Sequence, residues 1–197
     1  MKKIMFNDKY GLTQAVLDGR KTMTRRIIDQ RTEGWLRMQY SERYDDWHRR
    51  SPYMYTETLA IAQAYKDIYA KGGFDMHGQF TFVEDSAGWT NKMFVKAKLM
   101  PRHIKITNIR VERLQDISDE DCLREGIYFD KEGGQSIGYP IAVPFYYTFR
   151  GAINRDGKQL YWSTPKDAFA ALIDKVSGNG TWDSNPMVWV YEFELVD

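Results

Sequence analysis

Residues 21–26, Lys-Thr-Met-Thr-Arg-Arg, place three cations and two hydroxyls within six positions. That density of donors belongs to a surface or a polar cleft, because charged side chains are seldom buried without partners. In a strand, successive side chains point to opposite faces, so Thr22, Thr24 and Arg26 share one face while Lys21, Met23 and Arg25 share the other. Such a strand can aim a Thr-Thr-Arg row at a ligand and keep Met23 for packing. The same composition also suits a solvated basic hairpin edge.

The elements that must position this motif can be read from periodicity and end signals. Short or alternating apolar runs mark strands near residues 3–6, 21–27, 59–63, 93–99, 104–114 and 187–195. Ser118-Asp119-Glu120-Asp121 has the form of a capping box, with Ser118 accepting from the amide of Asp121 and the acids complementing the helix start. That helix should stop at Gly126, which can take a left-handed conformation. The longest helix should start at Pro165 after Ser163 or Thr164 and end before Gly178, burying Ala168, Phe169, Leu172, Ile173 and Val176. The expected class is therefore α+β, mostly β.

Composition sets limits. A chain of 197 residues is expected to fold as one domain, residues 1–197. No apolar run is long enough to span a membrane and the amino terminus carries no signal-peptide core, which leads to a cytoplasmic expectation without membrane association. The single Cys122 excludes an intrachain disulfide, and His48, His77 and His103 lack metal-ligand spacing, so neither a metal nor another cofactor is expected. With 28 basic and 27 acidic residues, the net charge is +1. A nucleic-acid surface must then be a local patch.

Two segments read as insertions. Residues 29–51 contain Trp35, Arg37, Tyr40, Arg43, Tyr44, Trp47, Arg49 and Arg50, and residues 128–161 are rich in glycine and aromatics. Aromatic and arginine mixtures suit base stacking and phosphate neutralisation, and equally suit packing of an insertion onto a core.

Four segments carry a family resemblance. They are Gly19-Arg20-Lys21-Thr22-x-Thr24-x-Arg26, Thr58-Leu59-Ala60-Ile61-Ala62, the stretch 104–127 ending Asp121-Cys122-Leu123-Arg124-Glu125-Gly126-Ile127, and 182–195 with its strand Val188-Trp189-Val190-Tyr191-Glu192-Phe193-Glu194. In their order and combination the chain resembles the longer, phage-associated ASCH domains of the PUA-like superfamily. The resemblance implies a PUA-like β-barrel with peripheral helices and two long insertions, about 29–51 and 128–161. It departs from the family at Tyr55-Thr56-Glu57, which stands where members often carry a glycine-containing turn.

The resemblance also implies function. Its leading expectation is recognition of RNA or a modified nucleoside in a polar cleft. The alternative is an amidohydrolase that deacylates the exocyclic amine of an acetylcytidine-like nucleoside, with Thr24 as nucleophile, Lys21 as its base and Glu125 as proton carrier. Arg26 would then hold an oxyanion or phosphate. Lys21 and Glu125 can instead form a plain salt bridge. Thr22, Arg25, Arg26, Glu57, Lys96, Arg102 and Asn185 complete the expected ligand- or RNA-binding residues. A third possibility, from another class, is a phage-linked module that binds a protein not identifiable from the sequence.

Overall fold

The computed structural model describes residues 1–39, 50–69, 83–131 and 146–197. Among the described residues there are seven strands: β1 Lys2–Ile4, β2 Met23–Ile27, β3 Thr58–Ile61, β4 His103–Arg113, β5 Tyr128–Phe129, β6 Tyr147–Thr148 and β7 Met187–Leu195. Six α-helices accompany them among the described residues: α1 Leu12–Leu17, α2 Gln30–Gln39, α3 Tyr65–Ile68, α4 Asp119–Arg124, α5 Pro165–Ser177 and α6 Thr181–Ser184. The class is α+β. Five strands form one mixed sheet in the order β1-β3-β4-β7-β2, and β5 and β6 pair separately.

The spine of the sheet is the antiparallel pair β4 and β7, aligned from Ile104 opposite Leu195 to Arg113 opposite Met187. One extra residue interrupts it, because Ile106 lies opposite Phe193 and Asn108 opposite Glu192. A bulge of one residue reverses the alternation of side chains. It therefore keeps Ile104, Ile106, Ile109 and Val111 on one face although their spacing changes from two to three and back. The other face receives Asn108, Arg110 and Glu112. On β2 the same division puts Thr24 and Arg26 with the isoleucines, opposite Tyr191 and Trp189, and puts Met23 and Arg25 with Asn108 and Arg110.

β3 divides two cores by the same rule. Leu59 and Ile61 enter the main cluster with Ile4, Phe6, Tyr191 and Phe193, whereas Ala60 and Ala62 face a smaller cluster with Tyr65, Tyr69, Val95 and Met100. Among the described residues the strand pairings do not close into a barrel. The two edge strands nevertheless approach each other, since Arg26 of β2 donates from Nη2 to the carbonyl of Met5, just beyond β1, at 2.5 Å. Inside this curl, Phe6 and Phe193 meet at 5.7 Å between ring centroids.

Capping chemistry sets the helix ends. Thr164 accepts from the amide of Asp167 and Pro165 opens α5, as its sequence signals predict. Val176, expected on the buried stripe, is exposed in the last turn of α5. The expected strand at residues 93–99 is not formed. Two 3₁₀ turns, Lys92–Phe94 and Ala97–Leu99, replace it. Asn91 accepts from the amide of Met93, and the Lys3 ammonium donates to the carbonyls of Met93 and Val95 at 2.7 Å each. With these groups engaged, an apolar run is held as turns. Of the first insertion, α2 lies within the described residues, while Tyr40, Arg43, Tyr44, Trp47 and Arg49 lie outside them.

Thr56 adopts φ 62, the left-handed region that a β-branched residue enters at a cost of about 1–3 kcal/mol. The turn thus keeps a glycine's backbone angle without a glycine. It is fixed by Thr56 N–H donating to the Ile106 carbonyl at 2.9 Å and Glu57 N–H donating to Met54 at 3.0 Å. Thr56→Gly should relieve more strain than it adds in unfolded-chain entropy, raising stability by up to about 1 kcal/mol. For a chain of this size that is roughly 2–4 °C in Tm, measurable by thermal denaturation.

Candidate functional site

The site is built from the junctions of α1, β2 and α4. Ser118 caps α4 by accepting from the amide of Asp121 at 3.2 Å, and three acids occupy its first turn. Glu125 follows as the C-cap, and Gly126 turns the chain with φ 109. A Cβ at Gly126 would stand 3.1 Å from Leu12 Cδ2 and 3.9 Å from Lys21 Cδ. The glycine therefore lets α4 end directly against α1 and the lysine stem. Lys21 precedes β2 and is tethered on both sides, through its own N–H to the Ala15 carbonyl at 2.8 Å and through Thr22 N–H to the Arg124 carbonyl at 3.0 Å.

At this junction the Lys21 ammonium donates to Glu125 twice, to Oε2 at 2.5 Å and to the carbonyl at 2.8 Å. Lys21 is only 2% exposed. Burial pushes its pKa below the ordinary lysine value, and the Glu125 charge only partly opposes that. The second oxygen of Glu125 accepts from Arg25 Nη1 at 3.2 Å. Both carboxylate oxygens are thus acceptors from cations.

Arg25 leads into a wider network on the α4 face of the sheet. Its Nε and Nη2 donate to Glu112 Oε1 at 2.9 and 2.6 Å, and Nη2 also reaches Asp121 at 2.9 Å. Arg110 bonds Asp121, Glu112 Oε2 at 3.0 Å and Glu192 Oε1 at 2.6 Å. Arg124 reaches Glu192 Oε2 at 2.8 Å and donates from Nε to the Thr22 hydroxyl at 3.2 Å. Lys21, Arg25, Arg110 and Arg124 are thereby set against Glu112, Asp121, Glu125 and Glu192, and the formal charges cancel. Burial opposes the ionised form of Glu192, but hydrogen bonds from Arg124 and Asn108 and the nearby Arg110 hold its carboxyl below the ordinary range. Burial likewise works against charged Arg25, yet Glu125, Asp121 and Glu112 raise its pKa further.

The opposite face carries the rest of the motif. Thr24 is buried opposite Tyr191, whose hydroxyl lies 2.8 Å from the Ser51 hydroxyl. Burial pushes the Tyr191 phenol up to about 12. The Tyr53 ring meets Tyr191 edge-on at 5.1 Å. Phe6 lies against two cations, with Lys21 Nζ 5.9 Å and the Arg26 guanidinium 5.7 Å from its centroid. Beyond its bond to the Met5 carbonyl, Arg26 has a buried Nε without a hydrogen-bond partner among the described residues.

The structure gathers Lys21 and Glu125 in direct contact and brings Arg26 to the Phe6 ring beside Lys21. Thr24 belongs to the same face as Arg26. Arg25 is on the other face, with every donor nitrogen bonded within the network or to Met23 sulfur. Thr22 serves the Arg124 contact. Glu57 accepts from Lys2 and from the Met54 amide, fixing its turn. Asn185 has φ 43 and accepts from the Gln115 amide at 2.9 Å, joining the start of β7 to the end of β4. Lys96 and Arg102 are exposed beside the smaller core. Sequence reasoning did not find Phe6, Ser51, Tyr53 or the network residues Arg110, Glu112, Asp121 and Glu192. The broken alternation at Thr107 was the available signal for the β4 members.

Among the described residues, no set of three His, Cys, Asp or Glu side chains gathers as metal ligands, and no helix is long and apolar enough to cross a membrane. Removing one partner from the buried network should be costly. Glu125→Ala leaves Lys21 and Arg25 facing each other and should lose about 3–5 kcal/mol in urea denaturation, part of which Lys21→Met in the same chain should restore. Glu192 should confer acid sensitivity. Its folded value is depressed, so its stabilisation is complete above its ordinary value of 4.5 and disappears as pH falls through the lower folded value. The Tm of the unaltered protein should fall more steeply below that pH than the Tm of Glu192→Gln. Comparison with family models, curated proteins and solved structures returns no match for this chain.

Proposed function

We propose that this chain is a PUA-like protein of the ASCH type that binds RNA or a modified nucleoside at the face carrying Lys21, Thr24 and Arg26. The observation that carries the reading is Arg26. It is the one cation of the motif without a carboxylate partner among the described residues, and its Nε–H is buried with no acceptor. A buried unsatisfied donor is destabilising and calls for an explanation. A base carbonyl, acyl oxygen or phosphate supplies the missing acceptor once the guanidinium turns toward it. The third Lys21 proton, left over after two bonds to Glu125, supplies a second donor beside it. Closure of the curled sheet into a barrel belongs to the same proposal, supported by the Arg26 bridge to Met5.

The amidohydrolase reading has one observation in its favour, the depressed pKa of Lys21, which suits a base that activates the Thr24 hydroxyl. Glu125 argues against it. A general acid must carry a proton to the leaving amine, whereas both Glu125 oxygens accept from cations. Binding is the function this geometry favours.

Titration calorimetry with cytidine, acetylcytidine and a short RNA, with chromatography of the same mixtures, tests the proposal. Saturable binding should weaken about 10–100-fold in Arg26→Ala, as expected for loss of a charge-assisted hydrogen bond. Absence of binding by the folded protein rejects the reading. Release of cytidine from acetylcytidine, abolished by Thr24→Ala, would replace it with the hydrolase.

A further inference from the structure

Near the candidate site, two large apolar side chains are displayed to solvent by a backbone that is firmly held. Met93 is 62% exposed and Phe94 61%. Leaving a phenylalanine in water forgoes about 1.5–3 kcal/mol relative to burying it, so a rigid exposed pair asks for a use. The hold has four parts. Asn91 accepts from the Met93 amide through its side chain and from the Phe94 amide through its carbonyl. The Lys3 ammonium bonds the carbonyls on either side of Phe94. Val95 is buried in the smaller core. The Lys96 amide donates to the Tyr65 hydroxyl at 2.7 Å.

The same turn is fastened to the site. The Lys92 ammonium bonds the carbonyl of Phe6, the residue whose ring touches both Lys21 and Arg26, and also reaches Thr13 Oγ1 at 3.1 Å and Asp8 at 2.7 Å. Charge accompanies the exposed ring. Residues 83–105 hold five Lys and Arg against two carboxylates, within a protein whose net charge is only +1. Lys96, Lys98 and Arg102 are exposed, and none pairs with a carboxylate among the described residues.

We propose that this platform is a second contact for single-stranded RNA, in which one base stacks on Phe94 and the adjoining phosphates lie along Lys96, Lys98 and Arg102. It rests on the reading of the Arg26 face as an RNA or nucleoside site, which it extends from one nucleoside to a strand. Aromatic faces paired with unneutralised cations bind single strands with little sequence preference, each stacked base contributing about 1–3 kcal/mol. The selectivity then resides at the Arg26 face and the added affinity at Phe94.

The test is fluorescence anisotropy of a labelled mixed-sequence RNA of about 12 nucleotides, within the span of known single-strand sites, over a series of salt concentrations. Nucleoside titrations run in parallel. Phe94→Ala should weaken the oligonucleotide roughly 5–100-fold and leave nucleoside affinity unchanged. The double variant Lys96→Gln, Lys98→Gln should flatten the dependence of log affinity on log salt by about 1.4, at 0.7 per phosphate contact. These positions are on the surface, so their variants are expected to fold. Oligonucleotide binding indifferent to all three changes overturns the platform. So does a protein that binds the nucleoside but no oligonucleotide. Oligonucleotide binding that responds to Phe94 while no nucleoside binds supports the platform and removes only the Arg26-face reading.

Discussion

Neutralising Lys21 is the constraint on which the rest of the structure depends. An ammonium this deeply buried cannot remain charged without a partner, because desolvation costs several kcal/mol. Glu125 meets the need with a carboxylate and a carbonyl together, and it can do so only because α4 ends there. The cap at Ser118 sets where α4 begins, and Gly126 permits the close approach to α1 and the lysine stem. Glu125 in turn admits Arg25, and Arg25 requires Glu112 and Asp121. A single buried charge thereby dictates the position of one helix, one glycine and the register of β4.

That register explains why the motif has two characters. Alternation sends Met23 and Arg25 to the α4 face, where every cation has its acid, and Thr24 and Arg26 to the face with Phe6, Tyr191 and Tyr53. Six adjacent residues thus contain a structural half and an unsatisfied half. The difference lies in the acids, which reach one face alone: Asp121 and Glu125 from α4, Glu192 from β7, and Glu112 because the bulge at Thr107 turns it there. Had β4 continued without it, Ile109 and Val111 would meet α4, and Arg110 and Glu112 would enter the apolar curl beside Phe193.

Much of the architecture was legible because it rests on local signals. Ser118, Thr164, Pro165 and Gly126 act within a turn of their own position, and β7 shows a plain run of β-branched and aromatic residues. The pairing of Lys21 with Glu125 was readable only through family resemblance, since the two are 104 positions apart and no periodicity relates them. Arg25 shows the limit more sharply. Residue type suits it equally to a phosphate or to Glu112, and only the fold reveals which acid is near. Residues 93–99 misled for a different reason. Their apolar content resembles a strand, but the Lys3 ammonium occupies the carbonyls that a neighbouring strand would use. Thr56 is a case in which tertiary hydrogen bonds override backbone preference, and nothing local announces it.

Lysine use along the chain accounts for the placement of its free positive charge. Lys2 donates to the Pro52 carbonyl, Lys3 to Met93 and Val95, Lys21 to Glu125 and Lys92 to Phe6. Each is a tether that fastens an irregular segment to the amino-terminal strand or to the motif, a role in which three donors on a flexible stem outperform a planar guanidinium. Arg25 of the motif and Arg110 and Arg113 of β4 are engaged by carboxylates, again internally. In a protein of nearly zero net charge, cations used in this way contribute little field to the surroundings. Among the cations without a carboxylate partner in the described residues are Arg26 inside the curl and Lys96, Lys98 and Arg102 outside it. Two separate positive regions can then coexist in one nearly neutral chain, linked through the backbone of Phe6.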